Sequence, residues 1–218
     1  MPRESKAKKA ERFRKIIALL DEAIPEAKIA LDYTTELELL VAVMLSAQCT
    51  DKLVNTVTPA LFARFPSARA YARSSPNELE KQIQRVGLFR NKAKNLHACM
   101  TLLEERYDGK LPRTREELNE LPGVGWKTAG VVANHAFGLP ALPVDTHVGR
   151  VSRRLGLTRQ EDPDKVEAEL TAILPEALWG RGHQLLIWHG RKTCDARRPR
   201  CGQCGIAGLC PSAGRAPA

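Results

Sequence analysis

Three groups of residues have types and spacings suited to chemistry. The first is Pro122-Gly123-Val124-Gly125-Trp126-Lys127, a turn with two spaced glycines followed at once by a lysine. The second is Pro143-Val144-Asp145-Thr146-His147-Val148-Gly149-Arg150, where an acid follows a rigid proline eighteen residues beyond that lysine. The third is four cysteines, Cys194, Cys201, Cys204 and Cys210, spaced C-x6-C-x2-C-x5-C.

In the first group, Gly123 and Gly125 let the backbone take positive φ and approach another molecule with no side chain in the way. Amides at the start of the following helix then point outward, where a phosphate oxygen can accept them and gain from the helix dipole. Such a grip on a nucleic-acid backbone is independent of base sequence. An ordinary helix-turn-helix corner that caps with glycine has the same pattern. Lys127 sharpens the choice, because the positive dipole end opposes an ammonium in the first helical turn. A residue placed against stability is a reason to look for function.

Asp145 reads as a helix N-cap that accepts the amide of His147 or Val148. A capping carboxylate is also held in place in its charged form, which suits a group meant to face developing positive charge. The two roles are compatible.

The cysteines do not have the spread of a disulfide scaffold, and the opening MPRESKAKKAERFRK lacks the apolar core of a secretion signal. A reducing, cytoplasmic setting is expected, where clustered cysteines serve as metal ligands more often than as bridges. Zinc and an iron-sulfur cluster both accept four thiolates. Only Cys201 and Cys204 form a close pair, which weighs against zinc. The first loop carries Arg197, Arg198 and Arg200 and is preceded by Arg191 and Lys192. A metal-pinned loop would present these cations to phosphates at little entropic cost; a solvated basic loop is the alternative. Cys49 is expected to be a small buried thiol, and His135, His183 and His189 are expected on core or surface helix positions.

The surrounding chain must be helical to position these groups. Its 218 residues carry net charge +9, with 43% hydrophobic and 5% aromatic residues, which excludes a disordered tail. The basic balance suits a polyanion partner. The longest apolar stretch, Leu39 to Leu45, is far short of the roughly 20 residues that span a bilayer, so no membrane role is expected. Phe13, Ile16, Ile17 and Leu20 fall at i, i+3, i+4, i+7, and Pro25 stops that segment. Ser75-Pro-Asn-Glu78, Thr114-Arg-Glu-Glu117 and Thr35-Glu-Leu-Glu38 read as capping boxes, and Asp162-Pro163 opens another helix. No run alternates with period two, so the fold is predicted to be all-α. Gly138 to Pro143 is the candidate hinge, and the tail after Cys210 is expected to fray.

Taken together, LPGVGWKTAGVV, VDTHVGRV, SAQCTD (Ser46 to Asp51), VGLFRNKA (Val86 to Ala93), WHGRKTC and the four cysteines resemble the helix-hairpin-helix DNA glycosylases of the endonuclease III type. The resemblance covers nearly the whole chain. It implies two helical domains with a DNA cleft between them: a six-helix domain at 29-139, with the hairpin at about 115-134, and an iron-sulfur domain formed by 1-28 with 140-218. It implies a [4Fe-4S] cluster on the four cysteines and a monomer acting on damaged double-stranded DNA.

The implied chemistry is removal of oxidised pyrimidines. Lys127 attacks the sugar and forms a Schiff base, Asp145 stabilises the cationic sugar, and β-elimination cleaves the strand. Gln48 and Leu88 match the loop residues that fill the vacated stack, although by residue type alone Leu88 reads as core. His147, Arg191, Lys192 and Arg198, with the amides of Gly123 and Gly125, are the implied DNA contacts. Trp126 stands where the family commonly carries a basic residue. A sibling glycosylase without a lysine nucleophile and a non-catalytic DNA-binding module are the rival readings.

Overall fold

Eleven α-helices and no strands occupy residues 4–215, the part of the chain that the computed structural model describes. The all-α expectation holds there. The chain divides into two compact units, Ala30–Leu139, and Met1–Ile29 with Pro140–Ala218. The division falls within the Gly138 to Pro143 segment. No helix among the described residues is long and apolar enough to cross a membrane.

The Ala30–Leu139 unit holds α2 (Glu36–Ser46), α3 (Asp51–Arg64), α4 (Ala68–Ala72), α5 (Pro76–Ile83), α6 (Phe89–Tyr107), α7 (Arg115–Asn119) and α8 (Trp126–Phe137). Every residue from Leu39 to Leu45 is buried. A helix apolar on all sides must be enclosed, and α3, α6 and α8 pack around this one. The five-residue α4 and α7 are single turns packed on α6 and α8 respectively.

Local capping explains where these helices begin. At Ser75 the box is complete: the hydroxyl accepts from Glu78 N, and the Glu78 carboxylate accepts from Ser75 N at 2.9 Å. That backbone N–H helps hold Glu78 below the usual carboxylate range. Thr114 accepts from Glu117 N at 3.2 Å and gives its hydroxyl to the Glu117 carboxylate. The Thr35 box departs from expectation. Glu38 reaches past Thr35 to Thr34, whose amide and hydroxyl both donate to one carboxylate oxygen at 2.6 and 2.7 Å.

The other unit holds α1 (Lys6–Ala23), α9 (Thr146–Arg154), α10 (Pro163–Thr171) and α11 (Trp179–Lys192). The i, i+3, i+4, i+7 stripe of α1 is buried as its periodicity predicts, and the helix ends before Pro25. It joins Val148 and Val151 of α9, Val166 and Leu170 of α10, and Leu185 and Leu186 of α11 in one core. Arg181 on α11 fixes the chain after α1 by donating to the carbonyls of Ile24, Pro25 and Ala27. The tail does not fray directly after Cys210. Ala213 N bonds Cys210 O and Arg215 N bonds Ser212 O, closing successive turns, and residues 216–218 lie outside the described part.

Removing the Ser75 hydroxyl takes away a partner from an otherwise orphaned amide. Ser75→Ala is expected to cost about 1 kcal/mol, read as a lower urea midpoint for unfolding.

Candidate nucleic-acid interface and metal centre

The hairpin joins α7 to α8 through a turn in which only one glycine is conformationally required. Gly123 has φ +77°, and a β-carbon built there would lie 2.7 Å from Asn95 Cβ, so both the backbone and the space demand glycine. Gly125 differs from expectation. It is the N-cap of α8 with φ −84° and ψ 170°, extended backbone open to other residues, and nothing lies within 4 Å of its built β-carbon. Its use is clearance: no side-chain cap covers the first amides of α8, and Gly125 is exposed. Lys127 follows in the first turn, also exposed.

Trp126 is 37% exposed and faces outward rather than into the core. The Arg115 guanidinium lies over its ring, 4.0 Å from the centroid, and donates to Trp126 O from Nε and Nη2. Gly130 makes room for this stack, since a β-carbon there would meet the guanidinium at 2.8 Å. A cation on an aromatic face thus braces the start of α8.

Gln48 and Leu88 belong to the same unit and share an unusual backbone. Among the described residues, positive φ at a non-glycine occurs at Gln48 (54°), Leu88 (58°) and Asp108 (51°) alone. Leu88 is 55% exposed, so the core reading suggested by its residue type is wrong here. Such backbone strain, with an apolar side chain held out in water, makes Leu88 a candidate functional position. Cys49 is half-buried rather than buried, because it sits in the loop after α2 and not within it.

In the other unit, Asp145 is the N-cap of α9, and its Oδ1 accepts from Val148 N at 2.7 Å. One oxygen is thereby held, and the structure shows no hydrogen bond to the other among the described residues. His147 is half-buried, packed on Gly190 with Nδ1 3.2 Å from Arg150 Nη2; burial pulls the ring below its usual pKa. Arg191 and Arg198 are exposed. Lys192 is exposed too, but its ammonium is paired with Glu26 at 2.6 Å and lies over the Trp188 ring.

Cys194, Cys201, Cys204 and Cys210 line one partly open pocket, whose remaining wall includes Val151, Leu155, Ile206 and His189. Burial raises the pKa of Cys204 and Cys210, and the other sulfurs push the same way. Four sulfurs that repel one another around a common space are the donor set a cationic iron cluster neutralises. Two turns, Cys201–Gln203 and Ala207–Leu209, shape the loop, and α9 secures it. Arg154 donates to the carbonyls of Asp195 (2.6 Å) and Ala196 (2.7 Å) and to Cys194 Sγ at 3.3 Å. The Asp195 carboxylate in turn accepts from the Arg197 and Arg198 amides, which holds it below the usual range.

Three positioning residues were not among the sequence expectations: Arg115, Arg154 and Lys92. Lys92 was the most findable, since it stands on the stripe Ala93, Leu96, Cys99, Met100, Leu103 that α6 buries, where a charge breaks the pattern. Arg115 and Arg154 carry no local signal, because their partners lie 11 and about 40 residues away.

Residues 41–176 match the family of HhH-GPD superfamily base excision DNA repair proteins, and residues 194–210 match the iron-sulfur binding domain of endonuclease III. The class defined by fold and hairpin is therefore the helix-hairpin-helix base excision repair proteins. The chain is 49% identical to the endonuclease III of Synechocystis sp. over 95% of each protein. It is 46% identical to that of Bacillus subtilis over 88% of each. A solved structure of a trapped endonuclease III–DNA covalent intermediate, an estranged-adenine complex, matches with TM-score 0.90 and 43% identity, covering 94% of this chain and 96% of that one. The chain belongs to the endonuclease III family, and its cofactor is a [4Fe-4S] cluster.

The two hairpin glycines are expected to separate in a mutational test. Gly123→Ala should lose about 1–3 kcal/mol of stability in chemical denaturation. Gly125→Ala should unfold like the parent and instead bind duplex DNA more weakly, because only its clearance is lost.

Proposed function

We propose that this chain is a base-excision-repair DNA glycosylase with AP lyase activity that removes oxidised pyrimidines from duplex DNA. The observation that carries the reading is Lys127, exposed in the first turn of α8 directly behind a glycine turn whose amides are uncovered. The covalent endonuclease III–DNA intermediate described above supports it.

The chemistry follows from the groups present. A target nucleotide must leave the stack before its C1′ can be reached, and a damaged base costs less to extrude. The Lys127 amine gives its lone pair to C1′, the bond from C1′ to the base nitrogen breaks, and the base departs with the electron pair. Asp145, fixed by the Val148 amide, places negative charge against the positive charge that develops on the sugar. Ring opening, with the nitrogen proton lost, leaves a protonated Schiff base between Lys127 and C1′. Loss of a C2′ proton then expels the 3′ phosphate by breaking the C3′–O3′ bond, and water later releases the lysine.

The remaining residues bind. Gln48 pairs with the orphaned base and Leu88 wedges the step, as an amide and an exposed apolar tip suit. Amides at Gly123 and Gly125, His147, Arg191 and Arg198 hold phosphates; Lys192 contributes while shared with Glu26. Cys194, Cys201, Cys204 and Cys210 ligate the cluster, which with four thiolates has no open position and supplies rigidity to the basic loop. The protein acts as a monomer.

Borohydride trapping on a duplex with one abasic site tests the mechanism. The parent should give a covalent protein–DNA band and Lys127→Gln none, while the variant still binds. A band that persists in Lys127→Gln, or none in cluster-loaded parent, removes the lysine Schiff base. Cys204→Ala should lose the visible iron-sulfur absorption, whereas Cys49→Ala should keep it.

A further inference from the structure

Lys92 is 8% exposed, in the first turn of α6, four residues beyond Leu88. Its ammonium donates to Leu45 O at 2.9 Å and Ala47 O at 2.7 Å, the last carbonyls of α2. Ala47 is the residue before Gln48. The Lys92 backbone N–H also donates to Leu88 O at 3.0 Å. One residue therefore holds the chain on both sides of the pair whose backbones are forced to positive φ. The two loops adjoin directly as well, since a β-carbon on Gly87 would lie 3.7 Å from the Gln48 carbonyl oxygen.

We propose that Lys92 is a positioning residue for duplex opening: its buried ammonium locks the Gln48 loop to the Leu88 end of α6, so that both side chains enter the DNA as one rigid wedge. The proposal rests on the reading of Gln48 and Leu88 as the residues that fill the vacated stack. A buried charge costs stability unless it is fully hydrogen-bonded, and an uncharged residue at position 92 would continue the apolar stripe of α6. What the ammonium adds is a bridge between two loops. The Gln48 turn is closed locally by Cys49 N–H to Ser46 O at 3.0 Å, and the Leu88 carbonyl by the first bond of α6, so what the ammonium alone supplies is the link between the two loops. The α2 carbonyls that accept the ammonium lie at the negative end of that helix, which favours a cation there.

Lys92→Met removes the donors and keeps the length and shape. The measurement is single-turnover base release from two substrates, a fully paired duplex with one oxidised pyrimidine and the same lesion in a bulge, where no stack has to be opened. Loss of two charge-assisted bonds should slow release from the paired duplex about tenfold or more. The bulged substrate should be processed within about twofold of the parent rate, because opening no longer limits it. On the paired duplex the loss should fall on kcat with KM little changed, since the phosphate contacts are intact. Lys92→Arg, which keeps donors at that depth, should recover part of the rate.

Equal slowing on both substrates would overturn the proposal in favour of a purely structural lysine, and no slowing on the paired duplex would also overturn it. Gln48→Ala and Leu88→Ala, measured alongside, separate the two layers. If they leave the paired-duplex rate unchanged, the wedge reading itself fails. If they slow it and Lys92→Met does not, only the role of Lys92 fails. Should Lys92→Met not accumulate as folded, cluster-loaded protein, Lys92→Gln, with one amide donor left, is judged by the same ratio of rates.

Discussion

An α-helix leaves the N–H groups of its first turn and the C=O groups of its last turn without partners, and the eleven mostly short helices of the described residues have many such ends. How each end is satisfied, or left open, decides most of what this protein can do. Ordinary ends are closed locally by Ser, Thr or Asp, as at Ser75, Thr114 and Asp162. The start of α8 has no side-chain cap behind Gly125, the arrangement in which helix amides can take an external anion. The start of α9 is closed by Asp145, so the group that completes the helix is also the charged group on offer.

Helix C-termini are treated in a complementary way, with cations from a distant part of the chain. Lys92 takes the last carbonyls of α2. Arg150 takes Gly190 O and Cys194 O at the end of α11, and Arg154 takes the carbonyls of the following loop. These bonds do more than satisfy acceptors. They tie the cysteine loop to α9, whose Val151 and Arg154 line the same pocket as the four thiols.

Several departures from the simplest folding rules put side chains outward, in loops or at the start of a helix. Gln48 and Leu88 hold left-handed backbone without being glycine, and Leu88 puts its apolar tip in water. Trp126 is kept outward by an arginine stacked on its face. A sequence selected for stability alone would bury or replace each of them, and the local cost is sustained by the dense packing of α2, α3, α6 and α8 beneath.

Much of this was legible in the sequence. Helical periodicity, the Ser75, Thr114 and Asp162 caps, the glycine turn before Lys127, the acid after Pro143 and the cysteine spacing are all local, and local rules placed them correctly. Most of the misreadings were of non-local origin. Gly125 looked like a second positive-φ glycine because spacing alone does not reveal which residue turns the chain; the close approach of Asn95 decides it for Gly123. Leu88 looked like core by composition until the fold put it in solvent; Thr35 does cap the Glu38 amide at 3.1 Å, and only the Glu38 carboxylate goes to Thr34 instead. By itself the sequence determined the helices, their starts and the chemistry of the candidate groups, since these depend on residues within a few positions of each other. Only the tertiary structure decided that Lys92, Arg115 and Arg154 brace them, because burial and hydrogen bonding between distant segments are properties of the packed chain and of no single stretch of it.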